Sequence, residues 1–192
     1  MKKNYDVSYF LYLKKKQEAW WKSFFGLRLP YILFLKFQNL GKTLEVGCGL
    51  GRNLRHLKPG SIGVDVIEEC VSYCKDRGLD AVLYGDLFER HEYFDSILFS
   101  HVIEHLSMAD AVGLLEKYVG YLKQGGKLLI IVPQLKGYLS DETHVEFYGV
   151  EKLEDLCGRV GLVRTRSGSF PFPKFFGNYF IYNETYFIAQ KP

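Results

Sequence analysis

The chain has 192 residues and a formal net charge of +3, and its composition is 47% hydrophobic and 24% charged. These values are typical of a single soluble globular domain with a continuous core, and so small a net charge gives no indication of nucleic-acid binding. No apolar run approaches the roughly 20 residues of a membrane-spanning helix, so we expect no transmembrane segment.

The first forty residues are predicted to be helical, because apolar and aromatic residues recur at spacings of three and four and Pro30 begins a second segment. We expect residues 1–40 to form an N-terminal helical cap and residues 41–192 to form the main domain. Aromatic residues near both chain ends either form a lid over an apolar ligand or pack the cap against the sheet. They are Tyr9, Phe10, Trp20, Trp21, Phe24 and Phe25, and Phe170, Phe172, Phe175, Phe176, Tyr179 and Phe180.

After Gly41, short β-rich segments alternate with helical ones, which predicts βαβ units and a mostly parallel sheet. The last two strand-like segments predict an antiparallel pair at the end of this sheet. The predicted fold class is therefore α/β, a Rossmann-like three-layer sandwich with an N-terminal helical cap. The predicted strands are residues 43–46, 61–64, 81–84, 96–99, 127–132, 162–166 and 185–189, and the predicted helices are residues 66–77, 108–123 and 150–159.

The four cysteines form no Cys-x-x-Cys pair, and no secretory signal precedes them. Thiols stay reduced in the cytosol, whereas disulfides persist in oxidising compartments. We therefore expect free thiols in or near the core and a cytoplasmic location.

A glycine-rich turn follows the first predicted strand in the sequence LEVGCGLG, residues 44–51. Glycines let the backbone turn sharply and let a ligand approach main-chain groups closely. A dinucleotide site has the spacing Gly-x-Gly-x-x-Gly, with a pyrophosphate at the following helix N-terminus. Here Arg52 occupies the third glycine position, and the glycines are spaced Gly-x-Gly-x-Gly. We predict that the turn opens a helix at Arg52 and Asn53.

This turn and the segments after it resemble the class I S-adenosylmethionine-dependent methyltransferases, in particular their small-molecule branch, over about residues 41–166. The resemblance rests on five matches in order: the turn, Gly63-Val64-Asp65, Gly85-Asp86-Leu87, residues 94–106 and residues 122–128. It implies S-adenosylmethionine as cofactor, with Asp65 at the ribose hydroxyls and Asp86 at the adenine. The implied cofactor-binding residues are Glu45, Gly47, Cys48, Gly49, Gly51, Asp65, Val66, Asp86, Leu87, Ser100 and His101.

Two histidines are candidate catalytic residues. His101 leaves the fourth predicted strand beside Ser100, where the resemblance implies the methionine end of the cofactor. His144 lies in residues 141–148, which resemble a segment that lines the acceptor pocket of small-molecule methyltransferases. There it is predicted to act as a base or an orienter, and the alternative is a loop that only leads into the helix at Val150. A base is required only for an acceptor that holds its proton tightly, such as an alcohol.

Residues 101–105 match the pattern His-x-x-Glu-His of inverted zinc peptidases, in which two histidines one helical turn apart bind zinc. Such an enzyme needs a third protein ligand and a helix that faces a cleft, whereas this segment lies at the exit of a strand. We therefore expect no metal, and we expect His105 to be a hydrogen-bonded helix residue.

The predicted function is methyl transfer from S-adenosylmethionine to a small-molecule acceptor, apolar or sugar-like. Neither the Asp/Asn-Pro-Pro-Tyr motif of amino-directed nucleic-acid methyltransferases nor a Pro-Cys nucleophile is present, so nucleic acid is not indicated as a partner. Two alternatives stay open. One is a non-catalytic S-adenosylmethionine-binding regulatory protein, and the other is a nicotinamide-dependent oxidoreductase, against which Arg52 argues.

Overall fold

The computed structural model describes residues 28–87 and 92–192. The chain divides into two compact units, of which the first ends at Phe88 and the second begins at Glu89. The aromatic residues from Tyr9 to Phe25 lie outside the described residues, so the helical cap over residues 1–40 stays a prediction. Its second segment is described and is helix α1 (Arg28–Phe37), in which Pro30 occupies the first turn. Proline is tolerated there because that turn has no intrahelical acceptor for its N–H.

The first unit contains a parallel sheet with the strand order β3-β2-β1. Its strands are β1 (Thr43–Val46), β2 (Ile62–Asp65) and β3 (Ala81–Leu83), with helix α2 (Glu68–Lys75) between the second and third. The core here is formed by Cys48, Val71, Cys74 and Ala81. All four cysteines of the chain are buried and free, as predicted.

The second unit contains four strands in the order β4-β5-β7-β6. Strands β4 (Phe94–Ser100) and β5 (Leu122–Pro133) are parallel, whereas β7 (Glu184–Gln190) runs antiparallel to both β5 and β6 (Val163–Phe170). The fold is thus α/β, with strands flanked by helices in each unit, and the predicted α/β class with an antiparallel end pair is confirmed. The helices of this unit are α3 (Met108–Val119), α4 (Leu135–Tyr138) and α5 (Val150–Arg159).

Strand β5 begins earlier than predicted, and the prediction of a helix through residue 123 was wrong. Helix α3 ends at Val119, and the chain enters β5 at Leu122, which pairs with Phe94 of β4. Hydrogen bonds join Gly125 N–H to the Lys191 carbonyl and Lys191 N–H to the Gly126 carbonyl. These long-range bonds fix residues 122–126 as extended chain, which local helical periodicity does not reveal.

None of the helices within residues 28–87 and 92–192 has the length and hydrophobicity that a bilayer crossing requires.

Candidate functional site

The glycine turn, Gly47 to Gly51, follows strand β1 in a conformation that requires its glycines. Gly47, Gly49 and Gly51 have φ angles of 74°, 50° and 68°, in the left-handed region that favours glycine. A Cβ at Gly51 would also lie 2.5 Å from Leu79 Cδ1. The turn is fixed to the neighbouring strand because the N–H groups of Gly47 and Cys48 both donate to the Val64 carbonyl.

The α-helix predicted to open at Arg52 and Asn53 does not form. The turn continues through residue 53 and leads into a single 3₁₀ turn, Leu54–His56. The Asn53 side chain is buried and donates from Nδ2 to Glu45 Oε1 over 2.8 Å, so it is not available to cap a helix at this point. An α-helix N-terminus of the kind that holds a pyrophosphate in dinucleotide sites is therefore not present after this turn.

Asp65 joins the end of β2 to the glycine turn. Its Oδ2 accepts a hydrogen bond of 2.7 Å from the Gly49 N–H, and its Oδ1 accepts one of 3.0 Å from the Ile67 N–H. Burial raises the pKa of Asp65 above its ordinary value, and the backbone amides oppose this shift. Each oxygen of an ionised carboxylate has a further lone pair, so Asp65 is able to accept ligand hydroxyl groups as well.

Glu45 is a buried carboxyl group inside strand β1. Its side chain is 1% exposed, and its Oε2 has no hydrogen-bond partner among the described residues. Burial raises the pKa of Glu45 to about 7, although the hydrogen bond from Asn53 lowers it. Sequence reasoning identified Glu45 but missed Asn53, whose only signal was a polar residue directly after the turn.

The other predicted cofactor residues of this unit differ in exposure. Cys48 is buried, and its side chain packs into the core, so only its main chain is open to a ligand. Val66 is exposed and directly follows Asp65. Asp86 is exposed and Leu87 is half-buried in the segment after β3, which is held near the end of β2 by a bond from Tyr84 N–H to the Asp65 carbonyl.

Ser100 and His101 lie at the end of β4 in the second unit. Ser100 is buried, and His101 has a φ of 58°, which is uncommon for a residue other than glycine. The His101 Nδ1 lies 3.2 Å from Glu104 Oε1, and its Nε2 lies 3.6 Å from Glu184 Oε1. Because both nitrogens face carboxylate oxygens, the ring is placed to form ion pairs on both sides when it is protonated. Sequence reasoning missed Glu184, a charged residue at the start of an apolar strand.

A second group of side chains, the histidine–glutamate cluster, consists of Glu104, His105 and His144. The ring centroids of His105 and His144 are 4.9 Å apart, although the two residues are 39 positions apart in the sequence. The loop that carries His144 is fixed to Glu104, whose carbonyl accepts hydrogen bonds from the N–H groups of Val145 and Glu146. Burial lowers the pKa of His105 below its ordinary value.

The zinc-peptidase arrangement of residues 101–105 is not formed. Residues 103–105 form a single 3₁₀ turn, Ile103–His105, in which His105 is hydrogen-bonded to the Thr143 carbonyl, and no α-helix carries the motif. His101 faces Glu104 and Glu184, whereas His105 lies against His144, so the two histidines of the motif do not face one another.

The C-terminal aromatic segment lies between β6 and β7. Phe172, Phe175, Phe176 and Tyr179 are exposed, so these side chains are not core residues. Phe172 contacts Phe176 at 5.2 Å between ring centroids. Buried Asn183 fixes this segment to the rest of the unit. Its Oδ1 accepts a hydrogen bond from the Phe172 N–H, and its Nδ2 donates one to Gln134 Oε1.

Residues 44–130 match the model of a family described as a methyltransferase domain. The fold is similar to that of an S-adenosylmethionine-dependent methyltransferase from Archaeoglobus fulgidus, with 20% identity, 95% of this chain and 99% of that chain covered, and a TM-score of 0.70. A possible histamine N-methyltransferase from Thermotoga maritima has 20% identity, coverages of 95% and 98%, and a TM-score of 0.74. No curated protein matches the sequence.

A magnesium protoporphyrin IX methyltransferase from Synechocystis, solved with bound S-adenosylhomocysteine, is 14% identical over 84% of this chain and 80% of that chain, with a TM-score of 0.61. At such identities the likeness to these structures is one of fold.

Proposed function

We propose that this chain, whose residues 44–130 match the family model of a methyltransferase domain, is a class I S-adenosylmethionine-dependent methyltransferase that methylates a small-molecule acceptor. The chain is thus an enzyme with S-adenosylmethionine as its cofactor. The observation that carries the assignment of its cofactor site is the hydrogen bond from Gly49 N–H to Asp65, which joins the glycine turn to the acid that ends β2.

The chemistry of these residues fits the cofactor. S-adenosylmethionine supplies a methyl group on a positively charged sulfonium, and it has no phosphate. The glycine turn offers main-chain groups for close approach, Asp65 offers lone pairs to the ribose hydroxyls, and exposed Asp86 is assigned to the adenine. The acidic groups of this site, Asp65 and the exposed Asp86, favour a cationic ligand over a phosphate-bearing one.

In the second unit, we assign His144 to the acceptor as a base or an orienter. Its Nδ1 lies 2.7 Å from the Tyr138 carbonyl and is therefore the protonated nitrogen, which leaves Nε2 as a proton acceptor. His101, between two carboxylates, is better suited to donate hydrogen bonds than to accept a proton. The resemblance also implies that Ser100 and His101 contact the methionine end of the cofactor, and this assignment stays a prediction.

The exposed aromatic segment supports an apolar or sugar-like acceptor. Rings such as Phe175 and Tyr179, held at the surface by the Asn183 anchor, provide a surface on which a flat or apolar molecule packs. Two of the proteins with similar structures are named for small-molecule acceptors. One is a possible histamine N-methyltransferase and the other is a magnesium protoporphyrin IX methyltransferase, which supports a small-molecule acceptor here. The four free thiols support a cytoplasmic location.

A panel of acceptors tests this proposal. Purified protein is incubated with S-adenosylmethionine and phenols, aromatic amines, apolar alcohols, glycosides, DNA or RNA, and formation of S-adenosylhomocysteine is measured. We expect turnover with at least one small-molecule class and none with nucleic acid above the acceptor-free background. Turnover confined to nucleic acid would overturn the acceptor assignment. Saturable cofactor binding with no turnover across the panel would favour the non-catalytic regulatory alternative.

A further inference from the structure

The histidine–glutamate cluster has the composition of a metal site. Within the described residues, Glu104, His105 and His144 each offer a ligand atom, and these atoms lie within 4.8 Å of one another. We propose that this cluster binds a divalent metal ion of the zinc class, with at least one coordination position left open. This reverses the expectation from sequence that the chain holds no metal, and it uses His144 in place of His101.

The hydrogen bonds of the two histidines leave the same nitrogen of each ring available to a metal. His105 Nδ1 lies 3.1 Å from the Thr143 carbonyl, and His144 Nδ1 lies 2.7 Å from the Tyr138 carbonyl. A carbonyl only accepts, so both Nδ1 atoms carry the proton and both Nε2 atoms have the lone pair. Fixing of a ligating histidine by a hydrogen bond from its other nitrogen is the usual second-shell arrangement in metal sites.

Glu104 is the observation that separates this cluster from an ordinary histidine pair. Its side chain is 1% exposed, and neither carboxylate oxygen takes part in a hydrogen bond within residues 28–87 and 92–192. Burial of a carboxylate without such bonds costs several kcal/mol unless a cation compensates its charge. The His101 ring is shared by two carboxylates, with Nδ1 3.2 Å from Glu104 Oε1 and Nε2 3.6 Å from Glu184 Oε1, so a cation bound on the Oε2 side of Glu104 would complete the neutralisation.

Two imidazoles and one carboxylate form a donor set that suits zinc and related transition ions better than magnesium or calcium. A tetrahedral zinc site places its ligand atoms about 3.4 Å apart. The side chains therefore need to move together by about 1 Å from their present separation, which half-buried His105 and His144 are able to do by rotation. Three protein ligands leave the fourth position open.

The site also bears on the proposed function, and this part of the inference rests on that proposal. A metal ion lowers the pKa of a bound hydroxyl group, so an acceptor hydroxyl bound at the open position would release its proton to solvent water before its oxygen attacks the methyl group, with no protein base required. His144 Nε2 then serves as a ligand and not as a proton acceptor. The two roles of His144 exclude each other, and metal binding in the absence of cofactor and acceptor distinguishes them.

The test is calorimetric titration of the chelator-treated full chain with ZnCl₂ alone, repeated with CoCl₂ to record the visible absorption of the bound ion. We expect one ion per chain, and binding at least about 100-fold weaker in His105→Ala, His144→Ala and Glu104→Gln. His56→Ala serves as the matched control because His56 is a half-buried histidine in the first unit, and it should bind as the wild type does.

Glu104→Gln keeps the size and shape of the side chain. The thermal unfolding temperature of each variant is also measured, which separates loss of metal binding from loss of the fold. His105→Ala and His144→Ala remove half-buried side chains, so they keep the test informative if the Glu104 variant does not fold. Failure of the wild type to bind Zn²⁺ or Co²⁺ stoichiometrically, or equal binding by folded His144→Ala, would overturn the metal site. Either result leaves the proposed methyl transfer untouched, because the acceptor panel measures turnover independently of metal binding.

Discussion

Replacing Asp65 with asparagine is expected to weaken S-adenosylmethionine binding by about 100-fold. The carboxylate joins the glycine turn to β2 through Gly49 and Ile67, and we assign its remaining lone pairs to the ribose hydroxyls. Asparagine keeps one acceptor oxygen, but it places an NH₂ group where the second oxygen accepted. The asparagine side chain is also neutral, so the variant loses the negative charge that strengthens the hydrogen bonds to the carboxylate. Calorimetric titration of the purified variant with S-adenosylmethionine measures the effect.

Asp80→Asn is the matched control, because Asp80 is exposed and lies just before β3, at the opposite end of the strands. It should bind the cofactor as the wild type does. Asp65→Asn should also unfold at a lower temperature, because the carboxylate accepts hydrogen bonds from two backbone N–H groups. Affinity is therefore measured well below the melting temperature of the variant. A folded Asp65→Asn protein with wild-type affinity would contradict the ribose assignment.

The stability of the chain without ligand is expected to fall as pH rises from about 4.5 to about 7, through the titration of Glu45. The pKa of this buried carboxyl is raised from 4.5 to about 7 in the folded chain. Across this interval the folded chain holds a proton that the unfolded chain has already released, so increasing pH favours unfolding. The full loss is about 3 kcal/mol.

Glu45→Gln removes this titration and keeps an oxygen that accepts from Asn53. The free energy of unfolding, measured by urea at several pH values, should therefore rise relative to the wild type by about 3 kcal/mol between pH 4.5 and pH 8. Glu68→Gln, an exposed substitution in α2, is measured alongside as the control for loss of a carboxyl group outside the core. If the difference between Glu45→Gln and the wild type does not change with pH, Glu45 is ionised throughout.

The strands were predictable because their signals are local. Residues 43–46 were predicted as they occur, and the other strands differ mainly in length, since pairing extends a strand beyond its apolar centre. Strand β4, for example, reaches from Phe94 to Ser100 around the predicted residues 96–99. The glycine turn was also predictable, because positive φ angles at Gly47, Gly49 and Gly51 require that residue type.

The element after the turn was not predictable from the same signals. Motif spacing indicated a helix at Arg52, but the Asn53 side chain is directed to buried Glu45, and only a 3₁₀ turn follows. Likewise, the start of β5 depends on hydrogen bonds of Lys191 with Gly125 and Gly126, from which it is far apart in the chain. Both outcomes are set by tertiary contacts, which local propensity does not contain.

The histidine–glutamate cluster shows the same limit at the candidate site. The sequence motif drew attention to His101 and His105 as a pair, because they are four positions apart. In the structure the partner of His105 is His144, brought to it by the bonds of Val145 and Glu146 to the Glu104 carbonyl. The motif thus drew attention to two of these three residues, but only the fold shows which of them lie together.

The most direct test of the cofactor site is calorimetric titration of the purified wild-type chain with S-adenosylmethionine and, separately, with NADH. The glycine turn with no α-helix after it, and the acid that ends β2, predict saturable binding of S-adenosylmethionine at one site per chain and no heat from NADH. Saturable binding of NADH with none of S-adenosylmethionine would contradict the account and return the glycine turn to the dinucleotide-binding class.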